Sequence, residues 1–513
     1  MKEGYSAKAF VGFKKLIAIV SGPLVFVLLL FFVDLSPGNP LVTYTLACAL
    51  WMAIWWISEA VPLAITSLLP VVLFPLLGIM DGKEVSSTYF NHVIFLFLGG
   101  FIVALAMQKW DLHKRIALKI LMYTGIGPGR ILLGFMGATA FLSMWISNTA
   151  TTMMMIPILI SIITKLEESI GKKDVSRYSI GLLLGVAYSA SIGGVATLVG
   201  TPPNLSFARI FQIMFPAAPE ISFAQWFFFA LPLSVLLIII VWVYLYFLFR
   251  PKSDKWKQAD NKSFRLQYRA LGPVGPEEKI IFADFILLAL LWLSRADIVM
   301  GGVIIPGWSS LFPASDFIND GTVAIMMSIP LFFIPAPSSK GSFLMDWETA
   351  TRLPWNIVLL FGGGFALASG FKESGLSVWF GEQLSWIGGI HPLMIIFMIA
   401  ILMTFLTELT SNTATTEMLL PILAGLSVST QINPLLLMIP ATLSGSMAFM
   451  LPVATPPNAI VFGTERLKIS QMARTGLLLN LLGAILISLF TYYYGTYIFD
   501  IDLNMLPDWA VIK

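Results

Sequence analysis

The chain has 513 residues, 57% hydrophobic and only 12% charged, with a mean hydropathy of +0.85 and a formal net charge of +3. Soluble domains carry about 25% charged residues, so this composition excludes one and predicts a polytopic membrane protein. The small net charge excludes nucleic-acid binding, the single cysteine (Cys48) excludes an intramolecular disulfide, and no two of the three histidines are spaced as metal ligands.

Taken from the N-terminus, Lys14 and Lys15 precede an apolar run from Leu16 to Val33. The run is long for a signal-peptide core and ends in Asp34-Leu35-Ser36-Pro37 rather than a small-residue cleavage site, so it reads as a retained span. Runs of about 20 apolar residues cross a bilayer as helix. By that measure crossings are expected at 16–33, 40–57, 61–79, 92–109, 179–215, 226–249, 280–296, 320–337, 355–371, 433–464 and 475–498, eleven in all. Two further apolar stretches, 131–163 and 392–426, carry polar strings in their middles and are expected to be re-entrant hairpins. The polar segment 251–279, with Pro273 and Pro276, reads as a cytoplasmic connector.

Loop charge sets the orientation. With Lys2, Lys8, Lys14 and Lys15 in the cytoplasm, the clusters Lys109/Lys114/Arg115/Lys119 and Lys165/Lys172/Lys173/Arg177 fall there too. So do the basic stretch Arg250–Lys279, which includes Lys252, Lys255 and Lys257, and the cluster Arg466/Lys468/Arg474. Counting 131–163 as a full crossing would put the Arg250–Lys279 stretch outside. The expected location is therefore the plasma (inner) membrane, N-terminus cytoplasmic and C-terminus outside.

The string Ser-Asn-Thr-Ala-Thr-Thr occurs at Ser147–Thr152 and again at Ser411–Thr416, an offset of 264 residues (411 − 147). Phe97 and Phe361 open similar glycine-rich strings at the same offset, and Pro157 matches Pro421. Downstream, Gly200-Thr201-Pro202-Pro203-Asn204 is matched by Ala454-Thr455-Pro456-Pro457-Asn458 at an offset of 254 (455 − 201), so the second copy is expected to lack about ten loop residues. The chain is an internal repeat. On the charge-derived topology the Phe97 segment runs inward and the Phe361 segment outward, so the repeats are inverted, and polar breaks in matching halves point to a transporter's binding site.

Ser, Asn and Thr supply neutral oxygens and N–H or O–H donors. Oxygens suit a small hard cation; donors and the positive end of a half-helix suit a carboxylate. Neither proline of each pair has an N–H, so carbonyls four residues back lose their helical donors and are free to face a cation. Ser143 precedes Ser147 by four residues and Thr407 precedes Ser411 by four, which predicts both hydroxyls of each pair on one helix face.

With both Ser-Asn-Thr strings, both Thr-Pro-Pro-Asn breaks and Trp55-Trp56-Ile57-Ser58-Glu59-Ala60-Val61-Pro62 in hand, nearly the whole chain resembles the divalent-anion/sodium symporters, which carry dicarboxylates, citrate or sulfate. The resemblance implies an all-α homodimer, each protomer holding a scaffold and a transport domain that slides in an elevator motion. It implies one sodium site at Ser143, Ser147, Asn148 and the Gly200 backbone, and another at Thr407, Thr410, Asn412 and the Ala454 backbone. Substrate carboxylates would meet Asn148, Thr149, Ser411, Asn412 and Thr413, with Thr201 and Thr455 nearby. Sodium is the coupling ion, and no other cofactor is implied.

The expected organisation is N-terminal spans at 1–90, mainly scaffold; a first repeat portion at 91–250; the connector at 251–279; scaffold spans at 280–350; and a second repeat portion at 351–513. Each repeat portion holds one hairpin and one broken helix, around 200–204 and 454–458. The leading function is sodium-coupled symport of small dicarboxylates such as succinate, fumarate or malate. A sodium-independent exchanger of the same fold and sodium-coupled citrate or sulfate transport are the alternatives. An enzyme is not expected: no His-Glu-x-x-His or Gly-x-Ser-x-Gly string occurs. Glu59, Glu408 and Glu417 are set apart because an intramembrane carboxylate is a functional suspect; Met153 stands opposite Glu417 at the 264 offset. His92, His113 and His391 are expected at interfaces.

Overall fold

A computed structural model describes residues 2–125, 127–251, 262–300, 303–339, 341–503 and 505–510. Lys252, Lys255 and Lys257 of the connector lie outside the described residues. The described chain is helical apart from a two-stranded antiparallel ribbon, Ile298–Met300 against Val303–Ile305. Among the described residues, seven helices are long and apolar enough to cross a membrane: Lys15–Phe32, Pro40–Ser58, Gly82–Lys109, Asn148–Ile170, Lys172–Val195, Phe223–Phe249 and Ile469–Ile498.

Three of the expected crossings are interrupted helices, two of them around the Pro-Pro strings. The 61–79 run divides into Leu63–Thr66 and Leu69–Leu77, because Pro70 has no N–H to offer the carbonyl of Thr66. The 179–215 run divides at 196–201 into Lys172–Val195 and Pro202–Met214, and the 433–464 run into Pro434–Ser444 and Pro456–Phe462. In both, the Pro-Pro pair occupies the first helical turn after the break, where a missing N–H costs nothing.

The repeat survives in element order. His92–Lys109, Leu112–Thr124, Pro128–Ser143, Asn148–Ile170, Lys172–Val195, Pro202–Met214 and Phe223–Phe249 are matched by Trp355–Ser374, Leu376–Gln383, Pro392–Leu406, Asn412–Ser429, Pro434–Ser444, Pro456–Phe462 and Ile469–Phe490. The ten residues missing from the second copy do not come from a loop, as the sequence suggested. The two helices that meet at Gly171 are 23 and 24 residues long in the first copy and 18 and 11 in the second; a longer turn (430–433) and a longer break (445–455) restore all but ten of the residues those helices lose.

Both apolar stretches with polar middles fold as helix, four- or five-residue tip, helix. The first is antiparallel by construction. Tyr178 Oη donates to Pro128 O and Ser143 Oγ to Ala190 O, so Pro128–Ser143 runs parallel to Lys172–Val195. Gly171, at φ 108, then reverses the chain between Asn148–Ile170 and Lys172–Val195, a conformation glycine adopts without strain. The arms of the first stretch therefore point opposite ways, with 144–147 as the tip.

The halves exchange contacts reciprocally. Pro202–Met214 of the first copy packs on Asn412–Ser429 and Pro434–Ser444 of the second, and Pro456–Phe462 packs on Asn148–Ile170 and Lys172–Val195. Phe97 and Phe361, equivalent by the 264 offset, meet edge to face at 5.3 Å between ring centroids. Outside this body, Arg115 reaches from Leu112–Thr124 to the end of the connector: its Nε stands 2.9 Å from Glu278 Oε1, and its other nitrogens donate to the carbonyls of Leu271, Gly272 and Pro273.

Candidate functional site

Each hairpin tip lies against the helix break of its own copy. In the first, Thr197 Oγ1 donates to Met144 O at 2.5 Å and accepts from Gly200 N at 3.0 Å, tying break to tip. In the second, Glu408, which replaces Met144 at the 264 offset, does this work with its side chain. Its carboxylate accepts from Met450 N (2.8 Å), Leu451 N (2.9 Å) and Asn480 Nδ2 (2.7 Å). Glu408 is 3% exposed and two of these three donors belong to the break, so its carboxylate braces the second break.

The first tip gathers oxygens. Ser143 Oγ sits 2.5 Å from Asn148 Oδ1 and 2.7 Å from Ala190 O. A hydroxyl has one proton for these two acceptors, so with Asn148 Oδ1 toward it Ser143 Oγ cannot donate to both, an arrangement that suits a shared cation. Gly194 makes room: a Cβ there would stand 2.5 Å from Asn148 Oδ1 and 3.0 Å from Gly200 O. Ser143 Oγ, Asn148 Oδ1 and Gly200 O thus converge on one small volume floored by a glycine. The donors are all neutral oxygens at a helix interruption, the set that sodium takes and that soft metals do not.

Ser147 does not share a helix face with Ser143, because the helix ends at Ser143. Ser147 is the N-cap of the next helix, its Oγ accepting from Ala150 N at 3.2 Å. The same correction applies to Thr407 and Ser411: Pro392–Leu406 ends before them and Ser411 is the N-cap of Asn412–Ser429. The four-residue spacing therefore encodes a tip and a cap, not a helical stripe.

The second tip is built alike but paired differently. Thr407 Oγ1 donates back into its own helix, at 3.0 Å from Met403 O and 3.1 Å from Thr404 O. Thr410 Oγ1 stands 2.8 Å from Leu406 O and 2.6 Å from Thr415 Oγ1. Asn412 Oδ1 is buried with no hydrogen-bond partner. Ala454 is buried behind the break, its N–H donating to Leu451 O at 3.2 Å. Where the first break has Gly194 and Gly200, the second has Ala448 and Ala454, and so carries two more methyl groups.

Thr201 and Thr455 are buried N-caps of the two helices that follow the breaks; Thr455 Oγ1 accepts from Asn458 N at 3.3 Å. Thr149 and Thr413 lie in the first turns of the second hairpin arms, where backbone N–H groups have no intrahelical partner. The tip residues thus carry hydroxyl and amide donors at two helix N-termini.

Of the remaining charged suspects, Glu59 is exposed and takes a left-handed C-cap conformation, φ 47. Glu417 is wholly buried, accepts from Ser206 Oγ at 2.8 Å and joins the second hairpin to Pro202–Met214 of the first copy. Among the histidines, His92 opens its helix, His113 Nδ1 lies 3.0 Å from Met107 O, and His391 caps Pro392–Leu406 through Leu393 N at 3.3 Å. Sequence reasoning missed Thr197, Asn204 and Asn458. The asparagines stood in plain view within the Thr-Pro-Pro-Asn strings, but nothing local says that their amides reach back across the break.

Residues 14–501 match the family model described as the sodium:sulfate symporter transmembrane region. The chain is 43% identical over 495 residues to the sodium-dependent dicarboxylate transporter SdcS of Staphylococcus saprophyticus, covering 96% of this chain and 93% of that protein. The protein of the same name from Staphylococcus aureus is 44% identical over the same length. Among solved structures, the YdaH transporter of Alcanivorax borkumensis aligns with a TM-score of 0.56 at 13% identity, covering 88% of this chain and 99% of that one. MtrF of Neisseria gonorrhoeae aligns at 0.54 and 12%, covering 85% of each. At such identities these two share the fold alone.

Proposed function

Since the chain belongs to the sodium:sulfate symporter family, we propose that it carries small dicarboxylates across a membrane by sodium-coupled symport. The observation that carries this reading is the convergence of Ser143 Oγ, Asn148 Oδ1 and Gly200 O around Gly194. The names of its relatives, sodium-dependent dicarboxylate transporters, supply the substrate class.

Sodium enters as a co-substrate. At the first tip Ser143, Asn148 and the Gly200 carbonyl hold it, with Ser147 keeping the adjacent helix end capped. At the second, Thr407, Thr410, Asn412 and the Ala454 carbonyl do so, and Asn412 Oδ1 is the oxygen left open for it. The substrate carboxylates lie across the two tips, taking donors from Asn148, Thr149, Ser411, Asn412 and Thr413, with Thr201 and Thr455 beside them. The ions offset the dianion's charge without a fixed Lys or Arg. This matters because each charge moved into a negative interior costs about 2.3 kcal/mol per 100 mV. Neither tip contains a Lys, Arg or His, which supports symport over exchange.

The reciprocal packing of the halves supports an inverted repeat whose axis lies in the membrane plane. The tips then meet near the midplane as re-entrant hairpins, and the body carrying them slides as an elevator between faces while the remaining helices form the scaffold of a homodimer. The N-terminus is cytoplasmic, the C-terminus outside, and the membrane the plasma (inner) membrane. The test is uptake of radiolabelled succinate into proteoliposomes. Uptake that requires inward sodium establishes symport. Uptake that ignores sodium but requires internal unlabelled succinate makes the protein an exchanger and removes the cations from both tips.

A further inference from the structure

Each helix break is held from the far side by one asparagine. Asn204, in the first turn of Pro202–Met214, is 0% exposed, and its Nδ2 lies 2.7 Å from Thr197 O, 3.2 Å from Val195 O and 3.3 Å from Gly194 O. Its counterpart Asn458 is also 0% exposed, with Nδ2 at 3.0 Å from both Ala448 O and Leu451 O. Ala448 and Leu451 are Gly194 and Thr197 shifted by the 254-residue offset, so the same link is built twice. In both copies the amide oxygen is buried with no donor. A buried, half-satisfied amide is costly, and an apolar residue would fill the space without that cost.

The link acts on the backbone that shapes the cation volume. Residues 194–197 contain the Gly194 floor and Thr197, whose hydroxyl binds both Met144 O at the tip and Gly200 N. The two N–H groups of Nδ2 hold the Thr197 carbonyl, the nearest at 2.7 Å, and one shared between those of Val195 and Gly194; holding this backbone holds Gly200 O relative to Asn148 Oδ1. Thr201 and Pro202, which face the other way along the chain, receive no bond from this amide.

We infer that Asn204 and Asn458 are positioning residues, each setting the sodium affinity of its own repeat by clamping the break loop, with little effect on the substrate carboxylates. The inference rests on the sodium-symport reading above. Its test uses the full-length protein in detergent and in proteoliposomes. The sodium midpoint is read from the rise in melting temperature during a sodium chloride titration at constant ionic strength, and succinate half-saturation from uptake at saturating sodium.

Asn204→Ala is expected to raise the sodium midpoint about tenfold, the effect of ~1.4 kcal/mol, and to leave succinate half-saturation within about twofold. Combined with Ser143→Ala it should add nothing further, because both act on one site; combined with Thr407→Ala the effects should multiply. Asn458→Ala should show the reverse pairing. An unchanged sodium midpoint, an equal rise in succinate half-saturation, or identical behaviour in the two backgrounds would overturn the inference. If Asn204→Ala does not yield monodisperse protein, Asn204→Ser takes its place; failure of both to fold means a structural amide and also overturns it. A parent protein whose melting ignores sodium refutes the symport reading instead, so the two failures are distinguishable.

Discussion

Gly194→Ala tests the first cation volume most directly. The added methyl carbon would stand 2.5 Å from Asn148 Oδ1 and 3.0 Å from Gly200 O. Carbon and oxygen approach to about 3.3 Å without bonding, so the overlap is about 0.8 Å with one oxygen and about 0.3 Å with the other. In the sodium-free protein the Asn148 side chain can swing aside. With an ion bound, both oxygens must stay, and the strain falls on the bound state alone. Overpacking of this size costs about 1–3 kcal/mol, a loss of roughly 5- to 150-fold in sodium affinity. The assay is sodium-dependent succinate uptake by proteoliposomes, with sodium-induced thermal stabilisation as the binding readout. Ala448→Gly, the converse change in the second copy, removes a methyl and should move the sodium midpoint by less than about threefold. A well-expressed Gly194→Ala protein with the parent's sodium dependence would show that the oxygens around Gly194 hold no coupling ion.

Asn148→Ala and Asn412→Ala should each abolish uptake while leaving membrane insertion intact, as measured by expression and size-exclusion profile; full activity in either removes that tip from the site. Glu408→Ala leaves Met450 N, Leu451 N and Asn480 Nδ2 without their acceptor, a cost of about 3 kcal/mol or more. It should lower the melting temperature in detergent by several degrees, and an unchanged melt would refute the bracing role. Outside the membrane, the Lys109 ammonium 2.6 Å away holds the Asp346 carboxyl at about 2, below its ordinary 3.8. A depressed carboxyl stabilises the fold above its ordinary value and loses that contribution as the pH falls from about 4 toward 2. With Asp346 47% exposed, the contribution is under ~1 kcal/mol. Asp346→Asn should therefore lower the melting temperature slightly at pH 7, with the difference shrinking below pH 4; a difference that grows in acid contradicts the sign.

The parts of the site that are legible in the sequence are those encoded by local chemistry. The Ser-Asn-Thr strings mark tips because a polar, cap-forming triplet inside an apolar run has to interrupt a helix, and the Pro-Pro pairs mark breaks because two missing N–H groups cannot sit in a helix interior. Asn148 and Gly200 come from the family resemblance, and their oxygens lie together with Ser143 Oγ. The spacing of Ser143 and Ser147 misled, because a four-residue interval means a shared face only if the helix continues through it. The links from Thr197, Glu408, Asn204 and Asn458 were hidden for another reason: those of Thr197 and Glu408 join segments brought together by tertiary folding, those of Asn204 and Asn458 span seven to ten residues across an irregular break, and neither kind leaves a periodic trace. The shortened second copy was also misplaced, since ten residues can leave two antiparallel helices by moving their connecting turn inward.

The swap of helices between the halves has a consequence for how the chain can be taken apart. Pro202–Met214 rests on the second half and Pro456–Phe462 on the first, so each half holds its own break but not the helix that follows it. An isolated half would present a helix with no bed and a bed with no helix, and two such halves would complete each other only as a pair. The covalent link between the halves thus keeps each helix beside the bed that only the other half supplies.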